Sequence, residues 1–273
     1  MGRSNQGIGA AEALTNVYHI TYFEYGRVAE TYFRGCNYDC KGCSTKSSDW
    51  DLHLKGNVRS FPSVAEVPLL SLSDFSALIA STDAEIVVLS GGGEPTMDRE
   101  LPLVIRRVKD LGKQAILITN GHLINEGLAS RLNGAGLDTV YVSIKALDET
   151  KHMFFTGQSN LNCLRSLGIL KKTNIELRVG TILIPGLVDC YEIERIARFI
   201  EGIDPSIPLG IAPFAPVPAS PWRRPTKAEV DEAEDHAKRH LRTVYKYYGD
   251  EPILGTVRVL YPRIFEAGKI PAA

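Results

Sequence analysis

Three of the five cysteines in this 273-residue chain lie within eight residues, as Cys36, Cys40 and Cys43. This spacing lets three thiolates reach one metal centre from a single short loop. Structural zinc sites and iron–sulfur cubanes usually take four protein ligands, and only three lie close together here. The pattern therefore favours a metal site with one open position. A zinc site completed by His53, or a group of unliganded thiols, would fit the same spacing.

A glycine-rich turn, Ser90-Gly91-Gly92-Gly93-Glu94-Pro95, is the second candidate feature. Its glycines let the backbone approach a bound molecule closely. No Lys-Ser/Thr pair follows and no G-x-G-x-x-G opens the next helix, so the turn does not match a phosphate-binding loop. An acidic side chain beside the glycines suits an ammonium group, and we expect Glu94 to receive the amino group of a ligand. A solvated carboxylate is the simpler alternative.

Both features follow predicted strands in an alternating pattern of strands and helices. After strands at 17–23 and 28–33, residues 46–70 are irregular. The strands predicted after that stretch are 85–89, 114–119, 139–144, 175–184, 208–214 and 254–260. The predicted helices are 74–81 with Ser73 as cap, 98–111, 125–133, 160–172, 190–201 with Asp189 and Glu192 as capping box, and Thr226 to about Tyr248 with Thr226 and Glu229 as capping box. Continuous apolar strands of this kind are typical of a parallel sheet covered by helices, whose chemistry gathers at the carboxyl ends of the strands.

Composition excludes several other classes of function. The net charge is −1, with 23% charged and 44% hydrophobic residues, and no long Lys/Arg run predicts nucleic-acid binding. No run of eighteen apolar residues predicts a membrane span, and the first residues lack the apolar core of a secretory signal. We therefore expect a cytoplasmic protein with reduced thiols. Cys163 and Cys190 stand alone in helical stretches, where buried, inert thiols are expected.

The order of the motifs resembles the radical S-adenosylmethionine (SAM) superfamily. Cys36-x3-Cys40-x2-Cys43 follows one strand and Gly-Gly-Glu-Pro follows the next. The short motifs "GGEPT", "ITNG" and "IPG" are most similar to those of the pyruvate formate-lyase activating enzymes. The resemblance implies a partial (β/α)6 TIM-like barrel with a short N-terminal strand and a C-terminal helical extension. It also implies a single domain, with a leader over 1–28, a core over about 29–215 and an extension over 216–273.

Family membership would assign the cofactor-binding residues. The resemblance implies that the three cysteines ligate a [4Fe–4S] cluster whose fourth iron binds the amino and carboxylate groups of SAM. The residues implied to bind SAM are Gly92, Gly93 and Glu94 at the amino group, Asn120 near the ribose, Ser143 and Lys145 near the carboxylate and ribose, and Ile182 beside the adenine. No side chain is implied as a catalytic acid or base.

The implied activity is radical chemistry. A low-potential donor of the ferredoxin or flavodoxin type would reduce the cluster. SAM would then be cleaved to methionine and a 5′-deoxyadenosyl radical that abstracts hydrogen from a substrate. The activating-enzyme resemblance implies a glycine of a partner protein, a glycyl-radical enzyme, as the substrate. The alternatives are another peptide or small metabolite, or a non-catalytic iron–sulfur or zinc-binding protein, although such a protein needs no amine-binding turn.

Several positions depart from the family pattern, among them Gly42 and Ser143. Gly42 stands where relatives carry an aromatic ring before the third cysteine, so Tyr38 or Phe214 would have to replace its contact with adenine. Ser143 stands where the activating enzymes commonly carry an aspartate. Both departures concern the substrate more than the cofactors.

Overall fold

A computed structural model describes residues 13–54, 62–263 and 270–271. The strands are β1 Val17–Phe23, β2 Val28–Phe33, β3 Ile86–Gly92, β4 Gln114–Thr119, β5 Thr139–Ile144, β6 Glu176–Leu183, β7 Leu209–Pro213, β8 Val244–Lys246, β9 Thr256–Tyr261 and β10 Ile270–Pro271. They form one ten-stranded sheet in the order β10-β9-β1-β2-β3-β4-β5-β6-β7-β8. Residues 1–12 of the predicted leader, residues 55–61 of the irregular stretch, and the C-terminal residues 264–269 and 272–273 lie outside the described residues.

Seven helices connect or follow the parallel strands in the described part of the chain. They are α1 Leu72–Ala80, α2 Leu101–Asp110, α3 Glu126–Ala135, α4 Glu149–Thr156, α5 Leu161–Leu170, α6 Cys190–Glu201 and α7 Lys227–Lys238. Strands β2 through β8 pair in parallel, each with the next along the chain. Six β/α units therefore run from β2 to α7, which confirms the predicted partial (β/α)6 barrel. None of these helices is long and apolar enough to cross a membrane.

The two faces of the sheet have different surroundings. On β3, Val87 and Leu89 are fully buried in the core beneath the helices, and on β5 Val140 and Val142 are buried in the same way. Side chains of the opposite face are only partly covered, and Ile118 on β4 is 38% exposed. An inner face that is open to ligands is therefore available along the parallel strands.

Several helix boundaries differ from the prediction. Helix α1 begins at Leu72 because Ser71, not Ser73, accepts the N–H of Asp74. Helix α4 was not predicted. Its eight residues carry little helical periodicity, and its limits are set by the Asp148 N-cap and by Gly157, which has a left-handed backbone.

The C-terminal part also departs from a purely helical extension. The Thr226–Glu229 capping box opens α7 as predicted, but the helix ends at Lys238. The chain then turns back, and the Lys246 ammonium on β8 bonds the carboxylates of Asp231 and Glu234 on α7 at 2.6 and 2.8 Å. Because β8 also extends the parallel sheet beside β7, strand pairing replaces the last predicted turns of the helix.

Candidate active site

The predicted site residues meet at one edge of the sheet. The cysteine loop follows β2, the glycine-rich turn ends β3, and Asn120 follows β4. Ser143 lies near the end of β5 and Ile182 near the end of β6. Since these strands are parallel, their carboxyl ends bring residues that are 146 positions apart in the chain to the same edge.

The cysteine loop is held from below by α4, the helix that was not predicted. The N–H of Asp39 donates to the carbonyl of Thr156 at 2.9 Å, and that of Lys41 donates to the carbonyl of Phe155 at 2.8 Å. The loop closes on itself where the N–H of Cys43 donates to the carbonyl of Cys40 at 3.2 Å. The end of α4 thus fixes the backbone that carries the thiols.

The three thiols are free and unequally exposed. Cys36 is exposed, while Cys40 and Cys43 are partly buried. The N–H of Tyr38 donates to the Cys36 sulfur at 3.4 Å, and the Thr45 hydroxyl donates to the Cys43 sulfur at 3.1 Å. Burial raises the pKa of Cys40 to about 11, although the nearby Lys145 ammonium acts in the opposite direction. A bound metal would supply the positive charge that favours the thiolate.

The glycine-rich turn packs directly on the start of the cysteine loop. The N–H of Gly93 donates to the Phe33 carbonyl at 2.7 Å, and the N–H of Glu94 donates to the Gly35 carbonyl at 2.8 Å. A Cβ at Gly93 would overlap the backbone of Gly35, so only glycine fits there. Among the described residues, none donates a hydrogen bond to the Gly93 carbonyl. The turn is therefore a close-fitting cradle with a free backbone acceptor.

Glu94 is more enclosed than the sequence indicated. Its side chain is 3% exposed, and Oε1 accepts hydrogen bonds from the N–H of Thr96 at 3.0 Å and from the hydroxyls of Thr96 and Thr119, each at 2.5 Å. Oε2 accepts the N–H of Asn120 at 2.8 Å. Three of these donors share Oε1, whereas Oε2 accepts one and keeps a further acceptor position. Glu94 therefore joins the ends of β3 and β4 instead of standing free in solvent.

Two cavities flank the cysteine loop, and several of the predicted residues line them. A cavity of about 400 Å³ is lined by Cys40, Cys43, Lys145 and Ile182, among others. A smaller cavity of about 180 Å³ is lined by Cys36, Gly92 and Gly93, among others. Ser143 accepts a hydrogen bond from the Lys145 ammonium at 2.7 Å, and the Asn120 side chain donates to Asn37 of the cysteine loop at 2.8 Å.

The space left by Gly42 is filled by an aromatic ring from another strand. A Cβ built on Gly42 would stand 2.5 Å from Cε2 of Phe214, the residue after β7. Phe214 is fully buried and lines the larger cavity together with Gly42. Tyr38 instead packs edge-on against His122 and His152, with ring centroids 5.5 and 5.7 Å away. Of the two candidate replacements, Phe214 is the one that faces the cavity.

Polar residues on the inner face were missed by the sequence reasoning. Glu30, Asp51 and His53 bring their ligand atoms within 4.8 Å of one another. Ser90 donates to Glu30 at 2.8 Å, and the His53 ring lies 2.9 Å from Asp51. Burial, with a further contribution from Asp51, raises the pKa of Glu30. The available signal was Glu30 itself, a charged residue inside an apolar strand. His53, the ligand of the alternative zinc site, lies in a group with Glu30 and Asp51 that contains no cysteine.

The chain matches a family model and several curated relatives. Residues 31–200 match the model of the radical SAM superfamily. A Methanocaldococcus jannaschii protein named "Putative glycyl-radical enzyme activating enzyme" is 29% identical over 62% of this chain and 61% of its own length. A Sulfolobus acidocaldarius protein named "Probable GTP 3′,8-cyclase" is 32% identical over 50% of this chain and 41% of its own length. The chain thus spans less than two thirds of each of these relatives.

Solved structures share the fold at low sequence identity. Streptococcus suis SuiB gives a TM-score of 0.60 at 13% identity, over 78% of this chain and 47% of SuiB. TYW1 with a lysine–pyruvate adduct gives a TM-score of 0.58 at 15% identity, over 81% of this chain and 76% of TYW1. The family match covers more than half of the chain and includes the cysteine loop and the glycine-rich turn. The chain therefore belongs to the radical SAM superfamily, whose cofactors are a [4Fe–4S] cluster and SAM.

Proposed function

We propose that the cysteine loop and the glycine-rich turn hold the two cofactors side by side. Cys36, Cys40 and Cys43 are free thiols on a backbone that is fixed by α4 on one side and by the turn on the other. Three thiolate ligands leave one iron of a cubane for SAM. The close-fitting cradle at Gly93, with its free carbonyl, supports this assignment.

For SAM, we assign the amino group to the backbone at Gly92 and Gly93. The Glu94 carboxylate would hold the neighbouring backbone through its bonded positions and receive the amino group at the acceptor position left on Oε2. We assign Asn120 to the ribose, and its side chain is held by its hydrogen bond to Asn37. The remaining residues assigned to SAM lie at the ends of β5 and β6, namely Ser143, Lys145 and Ile182.

When bound, the reduced cluster and SAM supply the abstraction of a hydrogen atom from a substrate C–H bond. The protein binds, orients and shields the reacting groups. The Lys145 ammonium provides a positive charge next to the cysteine loop, and the buried Phe214 covers one wall of the cavity. We assign the electron supply to a low-potential donor of the ferredoxin or flavodoxin type.

We infer that residues 29–215 form the core of a single domain, with 1–28 and 216–273 as its extensions. Strand β1 pairs with β2 of the core and with β9 of the extension. The ring of His236 on α7 bonds Glu194 on α6 at 2.6 Å. Both described extensions are thus joined to the core by hydrogen bonds.

The substrate that we propose is a glycine in a loop of a partner protein, as for a glycyl-radical enzyme activase. The open inner face of the sheet is the observation that carries this proposal. Ile118 is 38% exposed there, and Gln114 on the same face of β4 is also exposed. A surface left uncovered along the strands can admit a protein segment towards the cysteine loop. The name of the M. jannaschii relative supports the same class of substrate.

A second candidate is a small anionic metabolite. Arg178 on the inner face of β6 donates to the Tyr141 hydroxyl at 2.7 Å and to Glu176 at 2.8 Å, and its side chain is 31% exposed. A guanidinium held in this way is suited to a carboxylate or phosphate. The name of the S. acidocaldarius relative also supports a small substrate.

Anaerobic reconstitution with iron and sulfide, followed by reduction in the presence of SAM, tests the proposal. We expect four irons per chain and release of 5′-deoxyadenosine, with both lost in Cys36→Ala. With pyruvate formate-lyase as the probe partner, electron paramagnetic resonance should show a glycyl-radical doublet.

The outcomes separate the two substrates. A doublet that depends on SAM supports the activase. Deoxyadenosine release that rises with GTP, is lost in Arg178→Ala and produces no doublet favours the small-molecule candidate. Absence of deoxyadenosine from protein that contains four irons would refute both.

A further inference from the structure

A second group of metal-ligating side chains lies far from the cysteine loop in sequence, between α6 and α7. Cys190 is the first residue of α6, and Glu232 and His236 lie one turn apart on α7. One ligand atom from each of the three lies within 4.8 Å of the other two. These residues serve neither the cofactor site nor the inner face of the sheet.

The His236 ring is held in place by a carboxylate and a neighbouring aromatic ring. His236 is 8% exposed, and its Nδ1 bonds the Glu194 carboxylate at 2.6 Å. In the neutral ring this bond places the proton on Nδ1 and leaves the lone pair on Nε2, for which no partner is found among the described residues. Metal-ligating histidines usually donate their other N–H to a carboxylate in this way. Tyr191 packs edge-on against the ring, with centroids 5.2 Å apart, and restricts its rotation further.

Cys190 and Glu232 supply the other two donors. The sequence had favoured a buried, inert thiol at Cys190, but the residue is only partly buried and its thiol donates to Oε1 of Glu232 at 3.4 Å. Glu232 is exposed, so a metal ion can reach the group from solvent. One sulfur, one imidazole nitrogen and one carboxylate oxygen form a ligand set typical of zinc, with the fourth tetrahedral position left to water.

We propose that Cys190, Glu232 and His236 bind a zinc-type divalent cation, with Glu194 as the positioning residue for His236. Binding replaces the thiol proton, which is released to solvent, by a metal–sulfur bond. The ion would join the start of α6 to α7 and so attach the C-terminal extension to the core. This inference does not depend on the proposed substrate.

The test uses the cluster-reconstituted enzyme, in which the cysteine loop is occupied by iron. Anaerobic equilibrium dialysis against Zn²⁺, with elemental analysis, should give one zinc in addition to four irons. Zinc-edge X-ray absorption should show one sulfur at about 2.3 Å and nitrogen or oxygen ligands at about 2.0–2.2 Å. Three sulfurs around zinc would place the ion in the cysteine loop and overturn the proposal.

Variants separate the ligands from the positioning residue. Cys190→Ser and His236→Gln should each lose the bound zinc while keeping four irons. Glu194→Gln should keep the stoichiometry and weaken zinc affinity by about 10- to 100-fold. His240→Gln is the comparison variant: this neighbouring histidine bonds Glu201 at 2.8 Å, its Nε2 lies 3.5 Å from Glu194, and it is not one of the three ligands, so the variant should keep its zinc.

Thermal unfolding with and without zinc distinguishes loss of zinc binding from a folding defect in a variant. Zinc should raise the Tm of the wild-type holoenzyme and of His240→Gln, but not that of Cys190→Ser. Zinc affinity that is unchanged in Cys190→Ser and His236→Gln would contradict the proposed site, as would no zinc above background in wild-type protein with four irons.

Discussion

The cysteine loop and the group at Cys190 both present sulfur ligands, but they are assembled in opposite ways. The loop carries its three thiols within eight residues, so one segment of the chain sets the spacing of the ligands. The Cys190 group takes one ligand from α6 and two from α7, which are more than forty positions away. A site built from one segment is visible as a motif, whereas a site built from two helices exists only through their packing.

The two sites also depend on their supports differently. The cysteine loop is held by backbone hydrogen bonds to α4 and to the glycine-rich turn. The Cys190 group is held by side-chain contacts, above all the hydrogen bond that His236 Nδ1 makes with the Glu194 carboxylate. Side-chain substitutions should therefore disturb the second site readily, and the first mainly where they displace backbone.

Removal of a cluster thiol gives the largest expected effect and breaks the first site alone. In Cys36→Ala we expect loss of cluster iron and a fall in 5′-deoxyadenosine formation of at least about 1,000-fold, or about 4 kcal/mol. Zinc binding at Cys190 should persist. The control is Cys163→Ala, since this fully buried thiol lies in the core and should not affect the iron content. Chromatography of products and elemental analysis measure both sites in one sample.

A side chain added at Gly93 tests the backbone support. In Gly93→Ala the new Cβ overlaps Gly35, so the turn and the start of the cysteine loop must separate. We expect SAM affinity to fall at least about 10-fold and the free energy of unfolding to fall by about 2 kcal/mol. Equilibrium dialysis with SAM and urea unfolding measure these changes.

The matched control is Gly134→Ala on α3, where a Cβ meets nothing within 4 Å. This helical substitution should leave SAM binding unchanged and stabilise the protein by up to about 1 kcal/mol. Equal SAM affinity and equal unfolding free energy in the two alanine variants would contradict the close approach of Gly93 to Gly35.

Lowering the pH tests the stability of helix α4, which supports the cysteine loop. His152 on α4 is fully buried, and burial lowers its pKa from the ordinary 6.5 to about 4. Below pH 6.5 the unfolded chain takes up a proton that the folded chain does not, so stability is lost as the pH falls from 6.5 towards 4. At pH 5 the loss from this residue is about 2 kcal/mol.

Urea unfolding of metal-free protein at pH 7 and pH 5 measures that loss. In His152→Phe the difference between the two pH values should shrink by about the same 2 kcal/mol. An unchanged difference would mean that His152 is protonated equally in both states.

The smallest expected effect concerns the ring that faces Gly42. In Gly42→Ala the Cβ would stand 2.5 Å from the Phe214 ring, and in Phe214→Leu a smaller side chain can move aside. The double variant should therefore be more stable than the sum of the single changes predicts, by about 1 kcal/mol. Urea unfolding of the four proteins measures this coupling. Additive effects would show that Phe214 does not occupy the space of the missing aromatic residue.

Much of the architecture could be predicted because local patterns were strong. Strands β4 and β5 occur at the predicted residues, and the capping box at Thr226 and Glu229 is present. The capping box predicted from Asp189 and Glu192 was only half correct. Its side chain accepts the N–H of Glu192, but the Glu192 carboxylate bonds the N–H groups of Leu147 and Asp148 instead. The buried Glu192 carboxylate thus bonds residues that are distant along the chain, and no local sequence pattern could indicate those partners.

The short helix α4 and the surroundings of Glu94 show the same limit. Helix α4 has eight residues and little amphipathic period, so its position depends on packing beneath the cysteine loop. Nor did the sequence indicate that strand β4 ends with Thr119 beside Glu94 and supplies a hydroxyl donor to its carboxylate, and the contact of Glu94 with a ligand stays a prediction. The assignment of Gly92, Gly93 and the other SAM-binding residues stays a prediction.

The sequence by itself determined the family, the alternation of strands and helices, and the three thiols of the cysteine loop. Those features depend on neighbours along the chain, where side-chain spacing and backbone propensity act directly. Only the tertiary structure decided that Phe214 faces Gly42, that Glu94 is enclosed between two strand ends, and that Cys190 lies beside His236. These contacts join residues that are distant along the chain, and they arise from the common edge of the parallel strands and from the packing of α7 against α6.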